Sequence, residues 1–240
     1  LNYDRARNLA YYFTGGIIRD SLNTLKSRWG QYEPPTKQAK FRGKVDLKNP
    51  NFHLYSDTLH YNTESHIADL VGITHIEYEK ETHILSKRGW YNTESEQSLL
   101  LDRSEVIHVE GKYMTGDSIF YDKKIGFGKV IGNIALADTA QKVTLYGNYG
   151  QMHERKDTIG SHGFATDSAL LVDWSDEKQY AYMHADTLFS EERIYQIESE
   201  QGTIDSVYHL VRAHHKVRMY REDVQSVCDS LIYFDRDSIM

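Results

Sequence analysis

One phrase recurs along this 240-residue chain, and its recurrence limits the possible folds more than any other feature. Gly116-Asp117-Ser118-Ile119-Phe120-Tyr121-Asp122 is followed by Phe127 to Leu136 with Gly132 inside. It matches Ser56-Asp57-Thr58-Leu59-His60-Tyr61-Asn62, followed by Ile67 to Ile76 with Gly72 at the same place. Further copies open with Ala185-Asp186-Thr187-Leu188-Phe189 and Cys228-Asp229-Ser230-Leu231-Ile232-Tyr233, and Leu1-Asn2-Tyr3-Asp4 with Leu9 to Phe13 fits the second half of the phrase. Repeat starts fall near 56, 116, 185 and 228, at unequal intervals, so the unit tolerates insertions. A second phrase, a glycine beside an aromatic ring, lies between the copies at Arg28-Trp29-Gly30-Gln31-Tyr32, Lys87-Arg88-Gly89-Trp90-Tyr91 and Asn148-Tyr149-Gly150-Gln151-Met152. A unit of this size cannot bury its own apolar face and must stack on its neighbours.

The unit is made of strands. In Asp57-Leu59-Tyr61 and Asp117-Ile119-Tyr121 the apolar members alternate with Thr58, His60 and Ser118, which sends them to one face of a sheet. In the return strands Leu70 and Ile76, and Val130, Ile134 and Leu136, share one parity, while Asp69, Lys129, Val71 and Ile131 hold the other. Turn signals at Tyr61 to Ser65 and Tyr121 to Lys124 make these segments hairpins, and the recurring glycines Gly72 and Gly132 predict a bulge or a close backbone approach. Residues 1 to 18 read as a hairpin with Gly15-Gly16 near its far end. The weak helical period of Leu22, Leu25 and Trp29 is overridden by strand phrases aligned with it. Pro34-Pro35 and Pro50 mark loops or edges. The charged stretch 153 to 165 is the longest expected excursion; strands resume at Thr166, and Val207 to Tyr220 with Val224 to Phe234 form a last hairpin. No linker divides the chain, so 1–240 is expected to be a single continuous repeat region.

Composition narrows the functional classes. Tyr numbers 18 and Pro only 3, a balance that suits pleated surfaces. A net charge of −7 with no basic block argues against nucleic acid and against an anionic membrane surface as partners. Cys228, the single cysteine, rules out an internal disulfide framework and reads as a small buried group. No apolar run is long enough to span a bilayer as a helix. A start at Leu1 without a signal-like segment, and a stop at Met240 just after a repeat opens, read as a fragment from which a signal peptide is absent. No nucleophile elbow or phosphate loop is present. Asp57, Asp117, Asp186 and Asp229 recur in every copy, whereas an active site singles out one, so they are expected to accept hydrogen bonds at strand starts. The chain reads as no enzyme and as needing no cofactor. His214-His215 point to opposite faces of a strand, and the His60, His66 and His75 group carries no ligand spacing, so no metal is expected.

Phrases of the form small-Asp-Ser/Thr-apolar-x-Tyr, a turn, then a return strand bearing a glycine, resemble the OstA-like family, which includes LptA and the periplasmic part of LptD. Leu54 to Ile76, Lys112 to Leu136 and Val211 to Phe234 carry the likeness best, and the last of these, through Arg212 to Arg221, is most similar to OstA-like proteins of Bacteroidetes-type bacteria. The resemblance implies an all-β fold of stacked antiparallel hairpin repeats forming a twisted, partly open two-sheet β-jellyroll. It also implies a periplasmic carrier that takes the acyl chains of lipopolysaccharide, or lipid A, into an apolar slot between the sheets on the way to the outer membrane. Other Lpt-type envelope proteins and head-to-tail copies of the chain itself are the partners so implied. Leu59, Tyr61, Leu70, Ile76, Ile119 and Tyr121, with Val130, Ile134, Leu136, Leu188 and Leu231, are then the expected lipid-facing interior. Arg212, Lys216 and Arg218 form the densest basic set for a headgroup. Tyrosines at strand spacing are expected to pack by their rings with the hydroxyl at the rim. The rival reading is a structural or adhesive β-repeat protein of the cell envelope whose core is closed.

Overall fold

A computed structural model describes the chain except for residues 20, 155–161, 200–201 and 235–240. Among the described residues every regular element is a β-strand. The chain forms two compact units. The first, Leu1–Phe120, holds β1 (Asn2–Asp4), β2 (Leu9–Tyr12), β3 (Gly16–Arg19), β4 (Thr24–Ser27), β5 (Trp29–Glu33), β6 (Gln38–Lys48), β7 (Phe52–Asn62), β8 (Ile67–Tyr78), β9 (Thr82–Asn92), β10 (Gln97–His108) and most of β11 (Lys112–Asp122). The second, Tyr121–Met240, holds β12 (Phe127–Asp138), β13 (Val143–His153), β14 (His162–Asp173), β15 (Ala181–Ser199), β16 (Gly202–Arg221) and β17 (Val224–Phe234). Strands follow one another as an antiparallel meander, from β6 to β10 in the first unit and from β12 to β17 in the second. The all-β, antiparallel expectation is met.

The hairpin turns share one chemistry. Asn62 Oδ1 accepts from the backbone N–H of Glu64 and Ser65, both at 2.9 Å, and His66 closes the turn at φ 59°. Asn92 does the same for Glu94 and Ser95, closing at Glu96, and Asp138 for Ala140 and Gln141, closing at Lys142. A short side chain that captures the turn's own amides fixes where each strand must reverse.

The middle of each long strand is bent as well. Between Arg42↔Thr58 and Val45↔Ser56 two residues, Gly43 and Lys44, oppose the single Asp57, which is a β-bulge. The same two-against-one step recurs at Gly72-Ile73, Asp102-Arg103, Gly132-Asn133, Asp167-Ser168 and His215-Lys216, facing Lys87, Asn148, Asp186 and Asp229. Most of these doubled residues hold left-handed backbone: φ is 71° and 53° at Gly43 and Lys44, 60° and 61° at Asp102 and Arg103, and 61° and 52° at His215 and Lys216. Positions 72, 87, 102, 117 and 132 keep a constant step. Strands that bend through such bulges turn a corner and give two arms. The recurring aspartates therefore stand at mid-strand corners rather than at strand starts, since Asp57 lies inside β7 and Asp186 inside β15. Gly15, at φ 92°, is the corner between β2 and β3, and the first hairpin instead reverses at Asp4–Asn8.

A bulge breaks the ladder and strands carbonyls, and buried carbonyls need partners. In the first unit buried hydroxyls meet them from inside the corner. Ser27 Oγ donates to Trp29 O, Ser56 Oγ to Thr58 O and Ser86 Oγ to Arg88 O, each at 3.0 Å. Thr74 Oγ1 lies 3.1 Å from Gly72 O and 2.9 Å from Ser56 Oγ, and Ser104 Oγ lies 2.9 Å from both Leu101 O and Ser86 Oγ. In the second unit Thr166 Oγ1 reaches Asp186 O at 3.0 Å and Asn148 Nδ2 reaches Asp167 O at 3.3 Å.

The stretch between Asp186 and Asp229 holds an insertion. Beyond Glu191 and Leu210, which still pair with β14 and β17, β15 and β16 continue as a two-stranded ribbon among the described residues, pairing Glu192↔His209 through Ser199↔Gly202. Strand β14 opens at His162, before the expected Thr166. Most of the excursion expected at 153 to 165 lies outside the described residues.

Gly72 isolates the backbone requirement, because a Cβ there would meet no atom within 4 Å while φ is 90°. Gly72→Val is expected to lower the unfolding free energy by about 1–3 kcal/mol, the cost of left-handed backbone at a branched residue. Gly72→Asn should lose less than half of that; urea denaturation midpoints of the two variants check it.

Candidate functional site: the trough between the arms

Cross-strand register sorts the side chains of the first unit into rows. In the arms that end in the turns closed by His66 and Glu96, Phe41, Leu59, Leu70, Gly89 and Leu100 stand in one row, with Ala39, Tyr61, Ala68 and Tyr91 in the next. In the opposite arms Val45, Ser56, Thr74 and Ser86 stand in the row beside the corner, with Leu47, Leu54, Ile76, Ile84 and Val106 in the next. Residues on both sides of the corner are buried: Phe41, Leu59, Leu70 and Leu100 on one arm, Val45 and Leu54 on the other. The rings of Phe52 and Tyr91, from opposite arms, meet edge to face at 6.0 Å. The arms thus face one another across an apolar trough whose far rim in this unit is bridged by an aromatic pair.

The second unit repeats the arrangement. One arm carries the row Val130, Gly150, Ala165, Leu188, Ala213 and Leu231; the other carries Leu136, Leu145, Leu171, Met183 and Met219. Ala165, Leu188 and Ala213 from the first arm and Ala169, Met183, Ala185 and Val217 from the second belong to one core. A Cβ added at Gly150 would lie 3.5 Å from Ile134 Cδ1 of the opposite arm.

Of the residues expected inside, Leu59, Leu70, Ile119, Val130, Ile134 and Leu188 are buried, and Tyr61, Ile76, Tyr121, Leu136 and Leu231 are half-buried. The tyrosines end at the rim: Tyr121 donates to Glu154 Oε2 at 3.1 Å, and Tyr61 Oη lies 3.4 Å from Thr93 Oγ1. Val71 and Ile131, on the opposite parity, are exposed. Leu54, Leu100, Leu145, Leu171 and Met183 were not singled out by the Asp-containing phrase. The constant step between corners is the signal that finds them.

Arg212, Lys216 and Arg218 are not on the trough wall. Arg212 and Arg218 alternate with the inward Ala213, Val217 and Met219, and Lys216 sits in the corner. Arg212 pairs with Glu191 at 2.9 Å and Lys216 with Asp186 at 3.1 Å. Two open depressions flank the second unit's sheet. One, about 440 Å³, is polar and lies at the corner among Asn148, Thr166, Asp167, Ser168 and Asp186. The other, about 490 Å³, is bounded by Met219, Val224, Ser226, Cys228, Ser230, Leu231 and Ile232 on β16 and β17, where the apolar rows end.

Ionisable groups respond to the walls. Burial, then the charge of Glu96, raises the Tyr91 phenol above its ordinary value, so the ring bridging the trough stays neutral. His60, between Lys40 and Asp69 on the outer parity, is pushed below the ordinary imidazole value, first by burial and then by the Lys40 and Arg42 charges against the opposing pull of Asp69. Its Nε2 is buried without a hydrogen-bond partner.

These features define a class: in each unit an antiparallel sheet is folded over along a line of bulges, so that its two arms press apolar rows onto a trough. The family model for OstA-like protein matches residues 1–57. Among solved structures it is similar to the crystal structure of LptH, described as the LptA homologous periplasmic component of the conserved lipopolysaccharide transport device from Pseudomonas aeruginosa. That similarity has 19% identity and a TM-score of 0.35, and covers 50% of this chain and 80% of that chain. No curated protein matches the chain.

Because the folded state resists protonating His60, the unfolded chain binds more protons once pH falls below the ordinary imidazole value of 6.5. The stability that depends on neutral His60 is complete above that pH and is lost as pH falls toward the lowered folded-state value. Chemical denaturation at pH 7.5 and 5.5 is expected to show a smaller drop for His60→Gln than for the natural chain; an equal drop would assign the acid sensitivity elsewhere.

Proposed function

We propose that this chain is a non-enzymatic lipid carrier of the periplasm that holds the acyl chains of lipopolysaccharide between its arms and leaves the phosphorylated headgroup at the solvent edge. The observation that carries this reading is the pair of apolar rows, one on each arm, that runs across successive strands of both units. Each methylene buried against such rows contributes about 0.8 kcal/mol. Neighbouring strands present equivalent walls, so a chain can move along a row without meeting water. The OstA-like match over residues 1–57 supports the same assignment. A net charge of −7 leaves no overall attraction for an anionic headgroup, so affinity comes from the tails. Within the envelope the partners are other Lpt-type proteins and further copies of the chain, joined head to tail through strand edges.

A second reading, a closed β-repeat that works through its surface, draws on the corner rows of the second unit. There Ala165, Ala169, Ala185 and Ala213 are sealed at 0% exposure. Displacement of a fluorescent lipid by lipid A analogues separates the two. For the carrier, removing two methylenes from an inserted chain lowers affinity about 15-fold, at about 0.8 kcal/mol each. Leu171→Glu abolishes binding, and the outward, 82% exposed Val227→Glu does not. Affinity that ignores both chain length and Leu171→Glu would belong to the surface reading.

A further inference from the structure

The outer face of the first unit carries a cluster that the trough does not use. His75 and Glu77, two apart on β8, project from one face, and the register sets Glu77 opposite His83 of β9. His75 Nε2 and His83 Nδ1 are 3.4 Å apart, with ring planes inclined by 15° and centroids 5.5 Å apart. The centroid distance exceeds the nitrogen separation by nearly the two ring radii, so the nitrogens face one another edge to edge. Two bare lone pairs placed in this way repel, and the pair is at rest only with a proton or a metal cation between them.

We propose that His75, Glu77 and His83 bind a divalent cation of the zinc class. Metal–nitrogen bonds of about 2.0–2.1 Å at a tetrahedral angle place two imidazole nitrogens about 3.4 Å apart. That is the separation found here. A carboxylate oxygen of Glu77 lies within 4.8 Å of a ring nitrogen of each histidine, and rotation about its side-chain bonds brings it to the third position. All three groups are half-buried, which weakens competition from water, and the carboxylate offsets part of the ion's charge. Two imidazoles and one carboxylate select zinc-class ions over calcium and magnesium, which prefer shells of oxygen. His53 stands on the other side of Glu77 but is already engaged, with Nε2 2.8 Å from Asp46 Oδ1 and Nδ1 3.0 Å from the Tyr55 hydroxyl. The Tyr55 ring lies nearly parallel to His75 at 6.4 Å and limits how the imidazole turns. The fourth position is left for water, and the ion staples β8 to β9 on the side of the sheet away from the trough.

In sequence His75 groups with His60 and His66, a set without ligand spacing. His83 joins His75 only through the β8–β9 hairpin, which adjacency in sequence does not reveal. The test is calorimetric titration of the whole chain, stripped with a chelator, using zinc chloride and then magnesium chloride. Zinc is expected to fill one tight site and to raise the melting temperature, and magnesium to do neither. His75→Ala and His83→Ala should each weaken that site by more than about 100-fold, beyond the 10–100-fold that loss of an outer partner costs. His53→Ala should stay within that smaller range. His83→Gln, which keeps a polar side chain on the sheet surface, should abolish the visible absorption of a four-coordinate cobalt complex even if the alanine variants fold poorly. The proposal is overturned if the natural chain takes up no zinc, or if the His75 and His83 variants keep its affinity and its cobalt spectrum.

Discussion

Everything in this molecule follows from a bulge placed in the middle of a strand. A straight strand presents alternate side chains to opposite sides, so a meander of straight strands makes one flat sheet with a single buried face. Two left-handed residues set against one partner residue turn each strand back on itself, so buried side chains line both sides of the corner. Parity is kept across the doubled residues, as in Leu70 and Thr74 of β8, and switches across the single residue, as in Leu54 and Leu59 of β7. A corner costs ladder hydrogen bonds, and each unit restores them in its own way. The first uses Ser27, Ser56, Thr74, Ser86 and Ser104 from within the bend. The second uses Thr166 and Asn148 and fills the bend with alanine.

That division explains what could be read from the sequence. Corners at Gly72 and Gly132 were visible because glycine at a recurring strand position calls for backbone that other residues avoid. Corners at Asp102-Arg103, Asp167-Ser168 and His215-Lys216 lack glycine and left no such mark, although they take the same conformation. Asp57, Asp117, Asp186 and Asp229 were visible as a repeat, but their place was misjudged, because an aspartate that serves a bulge and one that serves a turn look alike in sequence. Asn62 and Asn92 do the turn work that the aspartates were given. Alternation on either side of a hidden corner predicts the correct burial for Leu70 and Val130, so the trough was legible in outline while the fold line that creates it was not.

Charge follows the same geometry. Corner positions project away from the interior, which is why Arg88 meets Asp102 at 3.1 Å and Lys216 meets Asp186 at the same distance along the outside of the bends. Such exposed pairs contribute about 0–1 kcal/mol each. Their consequence is a local balance of charge at those corners of the fold line. On the proposed carrier reading, a lipid is therefore held by its apolar part, and selectivity rests on chain number and length more than on headgroup charge.

Insertion is confined by the same rule. A corner shared by adjacent strands must stay in step across the sheet, because a one-residue slip in any strand exchanges inner for outer side chains. Length can change only where a strand has outrun its neighbours. The ribbon of β15 and β16 beyond Glu191 and Leu210 does this, adding residues at the hairpin end while Ala185 and Val217 keep their places beside the corner. The outer faces are free of that constraint, and there the chain can place chemistry, such as the paired imidazoles of His75 and His83, without disturbing a single residue of the trough.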